Sequence, residues 1–72
     1  MKVLMYQLPK KGSVRLYVCD KHGTEVAELE NQPKEAGFHS AVFDTADVER
    51  GMYFYRLELN GRLMETRSLN VL

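Results

Sequence analysis

Apolar residues recur at every second position over much of this 72-residue chain, and turn-forming residues interrupt the pattern at short intervals. Val14, Leu16 and Val18 alternate with more polar neighbours, which is the period of a half-buried β-strand. Asn60-Gly61 is the strongest hairpin signal in the chain and favours a type I′ turn. No stretch has the length and period of a stable helix. The chain is therefore expected to fold as sheet.

The alternation predicts extended segments at Val3–Leu8, Val14–Cys19, Thr24–Glu30, Phe38–Asp44, Met52–Leu59 and Arg62–Leu72. These are six segments, but turns every eight to twelve residues favour seven short strands in a small sandwich or barrel, and seven is the number we expect. The polar residues 31–37 predict a surface crossover loop, and Thr45–Arg50 a single helical turn capped by Thr45 or Asp44.

In the third segment Val26 and Leu29 are the expected buried residues. Their positions differ by an odd number, whereas residues on one face of a strand differ by an even number. We therefore expect a β-bulge near Ala27-Glu28.

Length and charge restrict the class of protein. At 8.3 kDa there is room for one domain, residues 1–72, without a large catalytic cleft. Ten basic and ten acidic residues give zero formal net charge, so no overall field draws the chain to nucleic acid or an anionic membrane. No apolar run is long enough to span a bilayer, and the single cysteine excludes an internal disulfide.

The residues that could perform chemistry have simpler interpretations. His22 and His39 lack metal-ligand spacing, and Cys19 lacks the local signature of a nucleophile. Asp20 and Asp44 each follow a strand, where aspartate commonly caps a turn. We therefore expect no catalytic residue, no metal and no cofactor, and His39 is expected to be half-buried and bonded to backbone.

Aromatic residues give a second interpretation. Tyr17, Tyr53 and Phe54 are candidates for exposed contacts to a glycan or a protein. In a strand, however, Tyr53 and Tyr55 face one side and Phe54 faces the other. One of these sides must fill the core, so the sequence favours packing for part of this group.

Five short motifs follow one another along nearly the whole chain: Tyr6–Pro9 with Gly12, Val14–Asp20 with Gly23 and Val26, Ala36–His39 with Phe43-Asp44, Gly51–Leu57 with Gly61, and Thr66–Leu72. In this order and spacing they resemble the type A C-terminal sorting domain of cargo for the type IX secretion system of Bacteroidetes. The related immunoglobulin-like domains of flagellar hook-capping proteins share the pattern. Gly51–Leu57 is the most specific match, and Cys19 stands where the family usually has tyrosine.

The resemblance implies a seven-stranded immunoglobulin-like antiparallel β-sandwich without a catalytic role. Such domains lie at the end of a longer secreted protein and are recognised by the outer-membrane secretion translocon. A sortase-type peptidase then usually removes them and attaches the cargo to surface lipopolysaccharide. The implied location is secreted or cell-surface, within a longer precursor. Because the 72 residues contain no export signal, we expect them to be the tail of a larger protein.

A sorting domain needs an accessible recognition element, and the last strand is the natural candidate. Arg67, Leu69, Val71 and Leu72 are the predicted partner-recognition residues. A strand at a sheet edge offers unpaired backbone groups to a partner strand. The same edge is compatible with a strand-exchanged homodimer. The alternative is an immunoglobulin-like structural or adhesive module that binds glycan or protein.

Overall fold

A computed structural model describes all 72 residues of the chain, Met1–Leu72. It consists of six strands: β1 Lys2–Leu8, β2 Gly12–Cys19, β3 Glu25–Lys34, β4 Gly37–Phe43, β5 Gly51–Leu59 and β6 Arg62–Val71. The all-β class is confirmed. The predicted number of seven strands is wrong, because the chain is divided among fewer and longer strands. β3 and β6 each run for ten residues.

The strands form two antiparallel sheets with a shared core between them. One sheet contains β1 and β4, and the other has the order β3-β2-β5-β6. The single core consists of the inward-facing residues Leu4, Tyr6, Leu8, Val14, Leu16, Val18, Ala41, Phe43, Tyr53, Tyr55, Leu57, Leu59 and Val71. Alternation along each strand supplies these residues, since every second side chain faces the opposite sheet. The arrangement is that of a small β-sandwich.

Strand β3 differs most from the sequence-based prediction. Residues 31–34 extend the strand along β2 and do not form a crossover loop. Two register shifts leave Val26 and Leu29 as extra residues, on either side of the predicted bulge position. Leu29 packs against the core as expected, but Val26 is 41% exposed, so its predicted burial is wrong. The bulges turn Ala27 inward in its place, opposite Val18.

The turns are built by short polar residues. Asn60 and Gly61 both have positive φ, 52° and 80°, which confirms the type I′ hairpin between β5 and β6. Asn60 also ties this hairpin to β2, because its Oδ1 accepts a hydrogen bond from the Ser13 amide at 3.0 Å. Residues 45–50 form one hydrogen-bonded turn without a helix. Asp44 caps that turn through a 3.0 Å bond to the Ala46 amide.

The two sheets differ in width. Neighbouring strands lie about 4.8 Å apart, so a four-stranded sheet is roughly 10 Å wider than a two-stranded one. The outer strands β3 and β6 therefore extend beyond the cover that β1 and β4 provide. The fold contains no helix long and apolar enough to cross a membrane.

Candidate functional site

The last strand lies at the edge of a sheet, which is the position that strand addition by a partner requires. β6 pairs only with β5, so its other side has backbone groups without a strand partner. A register shift between Leu57 and Glu58 makes Met64 an extra residue near the hairpin. From Glu65 to Val71 the pairing is regular. This regular half is the part of β6 that can accept a further strand.

The four predicted recognition residues separate into two pairs. Leu69 packs against the core and Val71 is fully part of it, so both hold β6 in place. Arg67 and Leu72 are exposed. A partner that approaches the folded domain therefore meets Arg67 and Leu72, whereas Leu69 and Val71 are accessible only through the backbone.

Arg67 is held by a neighbour on its own strand. Its Nε donates to the Glu65 carboxylate, and this hydrogen bond is the main cause of a raised pKa for the guanidinium. The negative charge of Glu65 adds to the shift. Because both side chains are solvated, an exposed pair of this kind contributes little to stability. The pair fixes the direction of the Arg67 side chain and leaves most of its donors available.

A groove of about 370 Å³ runs between β6 and the outer edge of β1. Its walls are formed by Met5, Tyr6 and Gln7 of β1, Phe38 of β4, and Glu65 and Arg67 of β6. The groove follows from the unequal widths of the two sheets, because β6 continues past the side of β1. It places Arg67 beside an apolar surface.

That apolar surface is the outer face of the two-stranded sheet. Val3, Met5, Phe38 and Val42 all point away from the core, and Phe38 is 76% exposed. Sequence reasoning missed this surface, although a signal was present. In β1 the run Val3-Leu4-Met5 is apolar on both faces, which is typical of a strand covered on both sides.

The expected exposure of the aromatic residues is wrong for two of the three. Tyr17 is 9% and Tyr53 is 7% exposed, and Phe54 is half-buried. The Tyr53 hydroxyl donates to the Glu49 carbonyl oxygen at 2.6 Å, which turns the ring inward. These two rings are therefore not available as a flat binding platform.

Tyr17 lies on the outer face of the four-stranded sheet, yet a charged side chain covers it. The Arg15 guanidinium carbon is 4.1 Å from the centre of the Tyr17 ring, and the Tyr17 hydroxyl donates to Glu58 at 3.0 Å. Arg15 is fixed by hydrogen bonds to Glu25 and Glu28 of β3. The bond to Glu25 is the largest cause of the raised Arg15 pKa. The acidic residues of β3 thus hold Arg15 over the Tyr17 ring, which the sequence suggested was exposed.

The two histidines lie at opposite ends of the sandwich. His22 belongs to the turn after β2, whereas His39 is near the beginning of β4, beside the other end of the sheets. His39 stacks on Tyr6 with 5.4 Å between ring centres, and its Nε2 donates to the Glu35 carbonyl oxygen at 2.7 Å. This half-buried, backbone-bonded position is the predicted one. No three His, Cys, Asp or Glu side chains form a group suited to a metal ion.

The remaining candidates for chemistry have structural contacts. Cys19 is buried, and Asp20 accepts hydrogen bonds from the backbone amides of His22 and Thr24 at 2.8 and 3.0 Å. Asp20 therefore closes the β2–β3 turn, as predicted for an aspartate at the end of a strand. A second groove, of larger volume at about 580 Å³, lies between this turn and residues 47–53, with side chains of both charges along its walls.

Comparison of the chain with models of known protein families, with curated proteins and with solved structures finds no match.

Proposed function

We propose that the chain is a non-catalytic C-terminal secretion and sorting domain with an immunoglobulin-like sandwich fold. In this proposal it directs a larger cargo protein through the outer membrane to the cell surface. The order of five motifs along the chain supports the family. The observation that carries the mechanism is the position of β6, an edge strand that contains exposed Arg67 and is followed by exposed Leu72.

Recognition would combine side chains with backbone. The translocon would contact Arg67 and Leu72 and would pair with the regular half of β6 by strand addition. Leu69 and Val71 would hold that strand in register by remaining in the core. A sortase-type peptidase would act afterwards on the chain that precedes the domain. The same edge would serve a strand-exchanged homodimer at high local concentration.

Delivery of a reporter tests the role of β6. Residues 1–72 are fused behind an exported fluorescent protein in a host with a type IX system, and surface exposure is measured by protease accessibility. Deletion of the last six residues is a poor test, since it removes the core residue Val71. We expect Arg67→Glu with Leu72→Ala to lower surface delivery at least about tenfold, a loss of roughly 1.4 kcal/mol of recognition.

The matched control is Arg62→Glu, the same charge change on the same strand but beside the hairpin. It is also exposed and makes no ion pair. We expect normal delivery for this variant. Equal delivery of both variants at equal stability would contradict recognition through the end of β6.

The second candidate function is a structural or adhesive module that binds glycan or protein. The half-exposed ring of Phe54 and the apolar face around Phe38 favour it. Titration of the domain against a glycan array separates the two proposals. Saturable sugar binding that is lost in Phe54→Ala supports the adhesive module, and a sorting domain is expected to show none.

A further inference from the structure

The sheet edges of this molecule are not equally protected. Edge strands usually carry a proline, a bulge or charged side chains that prevent pairing with another chain. On β3 these devices are Pro33, two register shifts, and the inward Glu30 paired with Lys34 at 3.7 Å. On β6 they are the bulge at Met64 and the charges around Arg67.

β1 has none of these devices. Its seven residues pair with β4 without a register shift, and they include neither proline nor glycine. Its only charged residue, Lys2, is at its first position. A flat apolar edge of this kind is a favourable place for a further strand. β4, the other edge of the same sheet, also has no proline, no Lys, Arg, Asp or Glu and no register shift, but the groove with β6 lies beside β1.

The space next to this edge fits one strand and not a second sandwich. β6 extends past β1, so its inward side chains Glu65 and Arg67 form the floor of the groove beside β1. If β1 of a second copy paired directly with β1, the parts of the two β6 strands that extend past β1 would overlap in space. A single extended segment needs only about 4.8 Å of width and avoids this conflict.

We propose that the groove between β1 and β6 binds an extended segment of a partner polypeptide as a third strand of the β1–β4 sheet. The segment is about seven residues long, to match β1. Its outward side chains are apolar and continue the surface of Val3 and Met5. Its inward side chains are small or polar, because they lie over the Glu65–Arg67 pair. This inference does not rest on the sorting role, which uses the free backbone edge of β6, although both involve Arg67, whose side chain lines the groove.

The probe is an acetylated and amidated heptapeptide in which threonine and valine alternate, with threonine at both ends. It is titrated into the ¹⁵N-labelled 72-residue chain. We expect saturable shifts of the backbone amides of β1 that face the groove, which are every second residue. Hydrogen exchange at those amides should slow at least about tenfold at saturation.

The control peptide has proline at its central position and should bind at least about tenfold more weakly, because proline interrupts the ladder. Absence of shifts up to about 1 mM peptide overturns the proposal. Shifts confined to β6 would overturn it as well. The same would hold if concentrating the chain without peptide produced the same shifts in β1, because that result would indicate pairing between copies.

Discussion

Tyr6 is a core residue whose buried hydroxyl group reduces the stability that its ring provides. Its ring packs between the sheets, but its hydroxyl oxygen is buried and has no hydrogen-bond partner. Burial is the main cause of its raised pKa, and the charge of Glu30 adds to it. An unpaired buried polar group reduces stability, so the hydroxyl is the least favourable atom of this residue.

Removal of that hydroxyl should be tolerated. We expect Tyr6→Phe to leave the free energy of unfolding at pH 7 unchanged or up to about 1 kcal/mol higher. In the wild type, the unfolded chain loses the tyrosine proton near pH 10, before the folded chain does. The stability due to Tyr6 is therefore complete below about pH 10 and is lost as the pH rises through the raised pKa of the folded state.

Urea unfolding at pH 7 and at about pH 10.5 measures both effects. The loss of stability between these two values should be smaller in Tyr6→Phe than in the wild type. Tyr53→Phe is the control, because its hydroxyl is bonded to Glu49 and its removal should cost about 1 kcal/mol. Identical alkaline losses in wild type and Tyr6→Phe would show that Tyr6 does not cause the effect.

At the scale of the strand, the conformation of the turns could be predicted from the sequence, but the strands that lie at the sheet edges could not. The Asn60-Gly61 hairpin needs two positive φ angles, and these two residues adopt them readily, so the turn was visible in the sequence. The polar residues 31–37 predicted a loop, whereas residues 31–34, with Pro33 among them, belong to β3. Proline is tolerated in β3 because that strand has a free side, and which strands are outermost depends on the whole sheet.

Gly61→Ala tests the hairpin. Because Gly61 has φ of 80°, a β-carbon strains the turn, and we expect a loss of about 1 kcal/mol in the free energy of unfolding. The neighbouring Arg62→Ala should change it by less than about 0.5 kcal/mol. Urea denaturation of both variants measures the difference. Equal midpoints would mean that the turn adapts without strain.

At the scale of the whole molecule, the single core supplies the stability, since there is no disulfide to assist it. The layer architecture followed from alternation and turn spacing. The unequal widths of the sheets did not, although they place the inward side of β6 beside the groove along β1. The closed face at Tyr17 was equally hidden, because the contacts of Arg15 with Glu25 and Glu28 depend on the pairing of β3 with β2, which contains two register shifts.

A core this small should not survive a large truncation. Leu57 is 2% exposed on the central strand β5, and Leu57→Ala should cost roughly 2 to 5 kcal/mol. That is most of the 3 to 5 kcal/mol, roughly, available to a domain of this size. Thermal unfolding followed by circular dichroism should show a partly unfolded variant at 25 °C.

Leu63→Ala, on the 57% exposed side chain next to the hairpin, is the matched control. It should change stability by less than about 0.5 kcal/mol. If both leucine variants melted at the wild-type temperature, the assignment of the core between the two sheets would be wrong.

The burial of Cys19 protects its thiol from an oxidising environment as long as the domain stays folded. In the folded domain the thiol is 1% exposed on a strand with neighbours on both sides, so oxidants and other thiols cannot reach it. When the sandwich opens, the same sulfur becomes free to form mixed disulfides. The fraction of molecules with Cys19 in a mixed disulfide would therefore show how many had been unfolded in an oxidising environment.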